Sequence, residues 1–333
     1  MPTYMVLPVI AVIAIVLANI LQLTALGLSA LPLAILLGMV YGHFATSSAD
    51  KLDQQFLQFC KQKMLRLGII LFGFGLSFQQ ILAVGWQAIV IDLLVITTVL
   101  IVGIWVGIKV LKLPRDVAIL TAAGSAICGA AAILATESVL KPKQQHITVA
   151  IATVVLFGTL AMFSYPFIYQ LATMNDQSFG IYIGSTVHEV AQAVAAGQSI
   201  NGETMETAVV VKLIRVMMLA PFLLILTVGL SWFTGDNTGQ QKGKGHNAMM
   251  VMPWFVFAFI AAAMVNSVVT LPEMVKSSLA LASQFALALA MAALGAHTRW
   301  ATIKAAGVKP LLLASLLFVI LLGGGYFLTS WLC

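Results

Sequence analysis

Runs of about twenty apolar residues recur along the whole chain, and the run at 89–108, I-V-I-D-L-L-V-I-T-T-V-L-I-V-G-I-W-V-G-I, holds a single charge. A helix needs about 20 such residues to cross the ~30 Å hydrocarbon core of a bilayer. Repetition of the pattern makes the fold class an all-α polytopic membrane protein. A soluble globular chain is excluded, because 61% of the 333 residues are hydrophobic and only 8% are charged. A β-barrel is excluded as well, since its strands would alternate and be broken by turns about every ten residues.

Charge, Gly and Pro divide the apolar runs into eleven expected membrane segments, near 4–23, 26–43, 64–80, 86–110, 115–140, 146–172, 178–200, 205–233, 249–270, 275–297 and 308–332. The stretch 51–63 carries Leu52, Phe56 and Phe59 at helical spacing and is expected to lie along the membrane surface. One integral membrane domain is expected over 1–333, with approximate halves at 26–172 and 178–332. The Gly-rich loop 234–248 is its only long polar linker. The net charge of +6 sits mainly in short loops, so it speaks for membrane orientation and against a nucleic-acid partner. A cytoplasmic N-terminus places Lys51, Lys61, Lys63, Arg66, Lys109, Lys112, Arg115, Lys242, Lys244, Arg299, Lys304 and Lys309 at cytoplasmic ends. Lys141 and Lys143 face outward if 115–140 crosses the membrane, and inward if it is a re-entrant hairpin; the sequence leaves both open. The first segment has no basic stretch before it and is expected to be a retained helix. Cys60, Cys128 and Cys333 show no pairing pattern and are expected as small buried side chains.

At 184–192 the chain reads G-S-T-V-H-E-V-A-Q. His188 and Glu189 open the H-E-x-x-H zinc pattern, but Gln192 stands where the second histidine belongs, so neither metal nor other cofactor is expected. An ionisable group at mid-membrane is costly, by ~2.5–3.5 kcal/mol on insertion scales, so such groups pair or line a wet cavity. Glu189 falls near the middle of its segment. A helix beginning at Ser185 or Thr186 would put His188 and Gln192 on one face. Its N-terminus, with Gly184 permitting the break, would favour an anion. Ser125 and Gly129 offer the same possibility in G-S-A-I-C-G at 124–129. Close helix packing is the plainer role for these small residues. Lys212 and Arg215, three apart on one helical face, either snorkel to an interface or supply positive charge. Asp92, close after Trp86, and Glu137, one turn before Lys141, are expected in structural roles.

Five blocks carry a family resemblance: G-S-A-I-C-G-A-A-A-I (124–133), G-S-T-V-H-E-V-A-Q-A-V-A-A-G (184–197), V-K-L-I-R-V-M-M-L-A-P (211–221), P-W-F-V-F-A-F (253–259) and A-L-A-M-A-A-L-G (288–295). Together they resemble the YeiH-type family of bacterial inner-membrane proteins, named as sulfate exporters. The resemblance implies the fold of the sodium/proton antiporter and bile-acid symporter group, with inverted repeats and interrupted helices crossing near mid-membrane. Interruptions are then expected at 124–129 and 184–189, or at one of these and the segment ending in Gly295. The implied function is a secondary transporter in the bacterial inner membrane, not an enzyme, exporting a small anion such as sulfate or a sulfonate. Ser125, Gly129, Ser185, Thr186, Gln192, Lys212 and Arg215 would hold the anion, and His188 and Glu189 would couple it to protons. A sodium-coupled symporter or cation/proton antiporter on the same fold is the alternative, an intramembrane enzyme a remoter one, and a homodimer is a possible assembly. The chain has no G-x-x-x-x-G-K-S/T nucleotide loop, so energy must come from a gradient or another subunit.

Overall fold

A computed structural model of the chain describes residues 3–20, 29–44, 51–234, 254–269, 271–298, 304 and 306–333. The expected polar linker beyond Thr234, with Lys242 and Lys244, lies outside these residues, as does Arg299. Among the described residues the regular structure is entirely helical. Six helices are long and apolar enough to cross a membrane: Thr3–Ile20, Gly85–Val110, Gln144–Leu171, Gly202–Thr227, Glu273–His297 and Val308–Leu332.

One group of helices comprises α1 (Thr3–Ile20), α2 (Ala30–Phe44), α3 (Lys51–Phe59), α4 (Leu65–Gly73), α14 (Trp254–Val268) and α15 (Glu273–His297). Its tightest contact is α2 against α15, made by the G-x-x-x-G pair Gly38 and Gly42. A Cβ on Gly38 would lie 2.2 Å from the Ala292 carbonyl oxygen, and one on Gly42 2.3 Å from that of Ala296. Small residues admit this approach because helices in lipid associate through backbone packing rather than hydrophobic burial. Helix α3 runs through a π turn at Cys60–Met64 straight into α4. This corrects the expectation of a surface helix at 51–63 followed by a separate span at 64–80. Nothing between Lys51 and Gly68 breaks a helix, so Lys51–Gly73 is one rod. The chain turns after it and restarts at α5 (Phe78–Ala83), capped by Ser77.

The second group holds α6 (Gly85–Trp105, continued by a π turn to Val110), α7 (Arg115–Ala126), α8 (Ala130–Leu140), α9 (Gln144–Leu171), α10 (Asp176–Thr186), α11 (Val190–Gln198), α12 (Gly202–Met217), α13 (Leu219–Thr234), α16 (Val308–Val319) and α17 (Gly325–Leu332). Within it, both expected interrupted segments fold back on themselves. In the first, Asp116 at the start of α7 lies 3.5 Å from His146 at the start of α9. One turn before the break, Gly124 packs against Ile133 of α8 and Val154 of α9. Helices α7 and α9 therefore run in the same direction, and α8 returns the chain to where α7 began. The segment 115–140 is a re-entrant hairpin, which settles the alternative left open by Lys141 and Lys143. Arms of 12 and 11 residues each reach about 17 Å, half a membrane.

The segment 178–200, expected to cross, is instead a second hairpin spanning 176–198. Gly180 and Gly184 of α10 pack on Thr207 and Val211 of α12, in parallel. On the returning arm, Gly197 of α11 lies against Met205. The Thr204 hydroxyl donates to the Asp176 carbonyl at 3.3 Å, closing the mouth of this hairpin. The two mouths lie at opposite ends of α9: His146 begins that helix, while Tyr169 near its end donates to Asp176 at 2.5 Å. A 28-residue helix separates them by about 42 Å. The hairpins thus enter the bundle from opposite ends and meet between them. Gly184 lies inside α10 rather than at the break, and Gly295 lies within the unbroken α15. Glu137 does not pair with Lys141; the Lys141 backbone, at φ 46°, instead closes α8.

Candidate functional site

The tips of the hairpins are Ile127–Gly129 and Val187–Glu189. Each break leaves the outgoing arm, α7 or α10, with unsatisfied carbonyls and the returning arm, α8 or α11, with free N–H groups. Lys212 and Arg215 of α12 are both 0% exposed, which rules out snorkelling. Their donors are spent on the outgoing arms. Arg215 Nε donates to the Ala126 carbonyl at 2.8 Å, Nη2 to Ser125 at 3.1 Å and Nη1 to Val187 at 3.3 Å. Lys212 Nζ donates to Ile127 at 3.0 Å and to Val187. Two cations therefore stand at the negative ends of two helix dipoles, and charge-assisted hydrogen bonds offset a desolvation cost of several kcal/mol per ion.

The carboxylate that balances them is one the sequence placed near an interface. Asp92 of α6 is fully buried, and Arg215, then Lys212, offsets its charge most. The Ser185 hydroxyl faces it without reaching good hydrogen-bond geometry, and both Asp92 oxygens lack a partner among the described residues. Its signal in the sequence was its isolation, as the one charge in 89–108.

Glu189 occupies the opposite pole of the site. It is the N-cap of α11, and the Gln192 side-chain oxygen accepts its backbone N–H at 3.2 Å. Its side chain lies over Gly129 of the first hairpin, where an added Cβ would stand 2.5 Å from Glu189 Cγ. The carboxylate faces the Ala130 N–H at the start of α8. The chain's own carboxylate therefore lies beside a helix N-terminus, a position that favours negative charge. Gly129 makes this possible, with φ +69° and no side chain to block the approach. Lys61, on the π turn of the other helix group, acts on Glu189 electrostatically. Hydropathy alone keeps Lys61 at a membrane surface, and the continuous helix Lys51–Gly73 carries it inward.

Gly129, His188, Glu189, Gln192, Lys212 and Arg215 come together at the tips. His188 is buried, and its Nδ1 has no partner among the described residues; nor does Gln192 Nε2. Ser125 and Ser185 sit at the ends of outgoing arms rather than at helix starts, so the expected capping by Ser185 or Thr186 is replaced by a helix that starts after Glu189. Thr186 turns toward α9, with its hydroxyl 2.5 Å from that of Tyr165 and donating to the Tyr182 carbonyl. A cavity of about 260 Å³ opens between the two helix groups beside α11, lined in part by Leu71, Phe72, Val194, Gln198, Lys276 and Gln284.

Membrane-length helices surrounding two opposed hairpins, with ionisable groups buried where the tips meet, define a polytopic membrane protein with a polar cluster inside the bundle. The chain belongs to the family described as conserved hypothetical protein 698, whose model matches residues 3–314. It is 47% identical over 302 residues to the UPF0324 inner membrane protein YeiH of Salmonella typhi, which covers 90% of this chain and 85% of that protein. It is similar to a UPF0324 membrane protein of Yersinia pestis (46% over 306 residues; 90% and 84% covered) and to one of Pasteurella multocida (43% over 302 residues; 90% and 88% covered). No solved structure matches the chain.

Proposed function

We propose that this protein is a secondary transporter that moves a small anion, such as sulfate or a sulfonate, through the hairpin tips by alternating access, coupled to protons. The observation that carries this is the Glu189 carboxylate seated at the N-terminus of α8. A substrate anion taking that seat must displace Glu189, and Glu189 leaves most easily once it is protonated. Anion loading and proton uptake then become one event. Direction follows from the combined gradients, so the anion is exported where its outward gradient exceeds the inward gradient of the proton that travels with it.

Topology supports the same account. With the N-terminus in the cytoplasm, the mouth of the first hairpin is cytoplasmic, and Lys141 and Lys143 join Lys109, Lys112 and Arg115 there, as membrane orientation requires. Each hairpin is followed by a long helix, and the G-S pairs at 124 and 184 stand 60 residues apart. The two units, 115–171 and 176–234, suit an inverted repeat with its site at the interface. A cation carrier would need carboxylates free of cations at the tips, whereas Lys212 and Arg215 flank Asp92.

The test is anion flux in liposomes with Glu189→Gln. Wild-type flux should rise as pH falls, because protonated Glu189 vacates the seat. The variant should keep at most a slow flux with a flat pH profile. Undiminished flux that still depends on pH in the variant would remove Glu189 from the coupling.

A further inference from the structure

We propose that the site carries a monoanion together with one proton, so that the loaded, occluded site has no net charge; this narrows the anion class above to sulfonate-like monoanions and makes sulfate, a dianion, a poor substrate. This rests on the transporter reading of the tips and names its substrate class. Two cations, Lys212 and Arg215, and one carboxylate, Asp92, are fully buried there, and Glu189 supplies the second carboxylate. His188 counts as neutral. Its Nδ1 is buried without an acceptor, and an imidazolium would leave an N–H donor unpaired at that atom. With Lys212, Arg215, Asp92 and Glu189 ionised, the resting site sums to zero. Uncompensated charge in a closed, low-dielectric site is strongly disfavoured, so a loading step that preserves the sum is favoured over one that changes it.

Exchange at the seat preserves it for one class of ligand. Glu189 takes a proton from water on the open side and swings off the Ala130 N–H, and the substrate anion replaces it. With a monoanion the sum stays at zero; with a dianion it falls to minus one. On the far side, proton and anion leave together and Glu189 reseats, so one proton and one monoanion travel in the same direction. We assign the ligand a second donor, Gln192 Nε2, which is fully buried without an acceptor among the described residues, on the amide whose oxygen accepts the Glu189 N–H. The charged and titratable groups around Glu189 are Lys61 from the first helix group, Lys212 from α12, Cys128 at the first hairpin's tip and His188 beside it. Lys61 acts on Glu189 from the other helix group but is only half-buried, and the sum counts Glu189 and the fully buried charges.

The experiment uses the full chain in proteoliposomes. Methanesulfonate and isethionate, permanent monoanions, are compared with sulfate and succinate, at zero and about 100 mV of clamped potential. The monoanions should move at least about tenfold faster than the dianions, acidify the receiving compartment, and accumulate equally at both potentials. Each net charge moved would bias accumulation by about fifty-fold per 100 mV. Dianion flux equal to monoanion flux, or accumulation that follows the potential, overturns the proposal while leaving the transporter reading intact. Asp92→Asn raises the buried sum by one and should shift selectivity toward the dianions by about tenfold or more. Unchanged selectivity in that variant also overturns the charge balance, and if the variant does not fold, the wild-type comparison still decides. If none of the four anions moves in wild-type vesicles, the transporter reading falls and this inference falls with it.

Discussion

Replacing Arg215 with alanine is expected to cost about 3–5 kcal/mol of stability, the range seen when one partner of a buried charge network is removed. Ser125 and Ala126 at the tip of one hairpin lose their donor, and Val187 at the tip of the other keeps only Lys212. The link between the two tips would then rest on Lys212 alone, so both tips should loosen together. Asp92 would also be left with only Lys212 to offset its charge. Arg215→Lys keeps the charge but not the three-way fork, so it should fall between wild type and alanine. Thermal unfolding of the purified variants in detergent measures this. Arg215→Ala within about 0.5 kcal/mol of wild type, the scatter of an ordinary surface substitution, would show that the cation does not hold the tips.

Gly129→Val should spare the fold and abolish most transport. At φ +69° a β-branched residue is strained by roughly 1–3 kcal/mol, and its Cβ would stand 2.5 Å from Glu189 Cγ. The Glu189 carboxylate cannot then seat on α8, and the anion that should replace it meets the same obstruction. Initial anion flux should drop by about tenfold or more, with Gly129→Ala intermediate. The hydrogen bonds from Lys212 and Arg215 do not involve Gly129, so expression and thermal stability should suffer less than in Arg215→Ala. Full flux in Gly129→Val would mean that the seat is not on the transport path.

The helices, and the breaks near 124–129 and 184–189, were legible in the amino-acid sequence, because apolar length and Gly-Ser pairs both write themselves locally. Whether a broken segment continues or returns was not. Two half-membrane arms and one full crossing spend the same number of apolar residues, so hydropathy reads alike for both. The only trace of the first hairpin was the misplaced pair Lys141 and Lys143. The second left no such trace, since no lysine or arginine lies between Lys143 and Lys212. The duties of Lys212 and Arg215 were hidden for another reason. That buried cations need partners follows from their cost, but the partners here are backbone carbonyls 25 to 90 residues away, which carry no residue-type signature. Asp92 was underrated because depth was judged from Trp86 alone, although its helix continues to Val110 and turns that face inward.

Opposed re-entrant hairpins are what place Glu189 over α8, so their topology is the most direct point of test. In a chain lacking Cys60, Cys128 and Cys333, single cysteines replace Lys109, Lys143, Thr173 and Glu203, and intact cells are treated with a membrane-impermeant thiol reagent. The fold predicts that positions 109 and 143, at the mouth of the first hairpin, share one side of the membrane, and that 173 and 203, at the mouth of the second, share the other. Labelling of 109 and 143 from opposite sides, or of 173 and 203 from opposite sides, would contradict it.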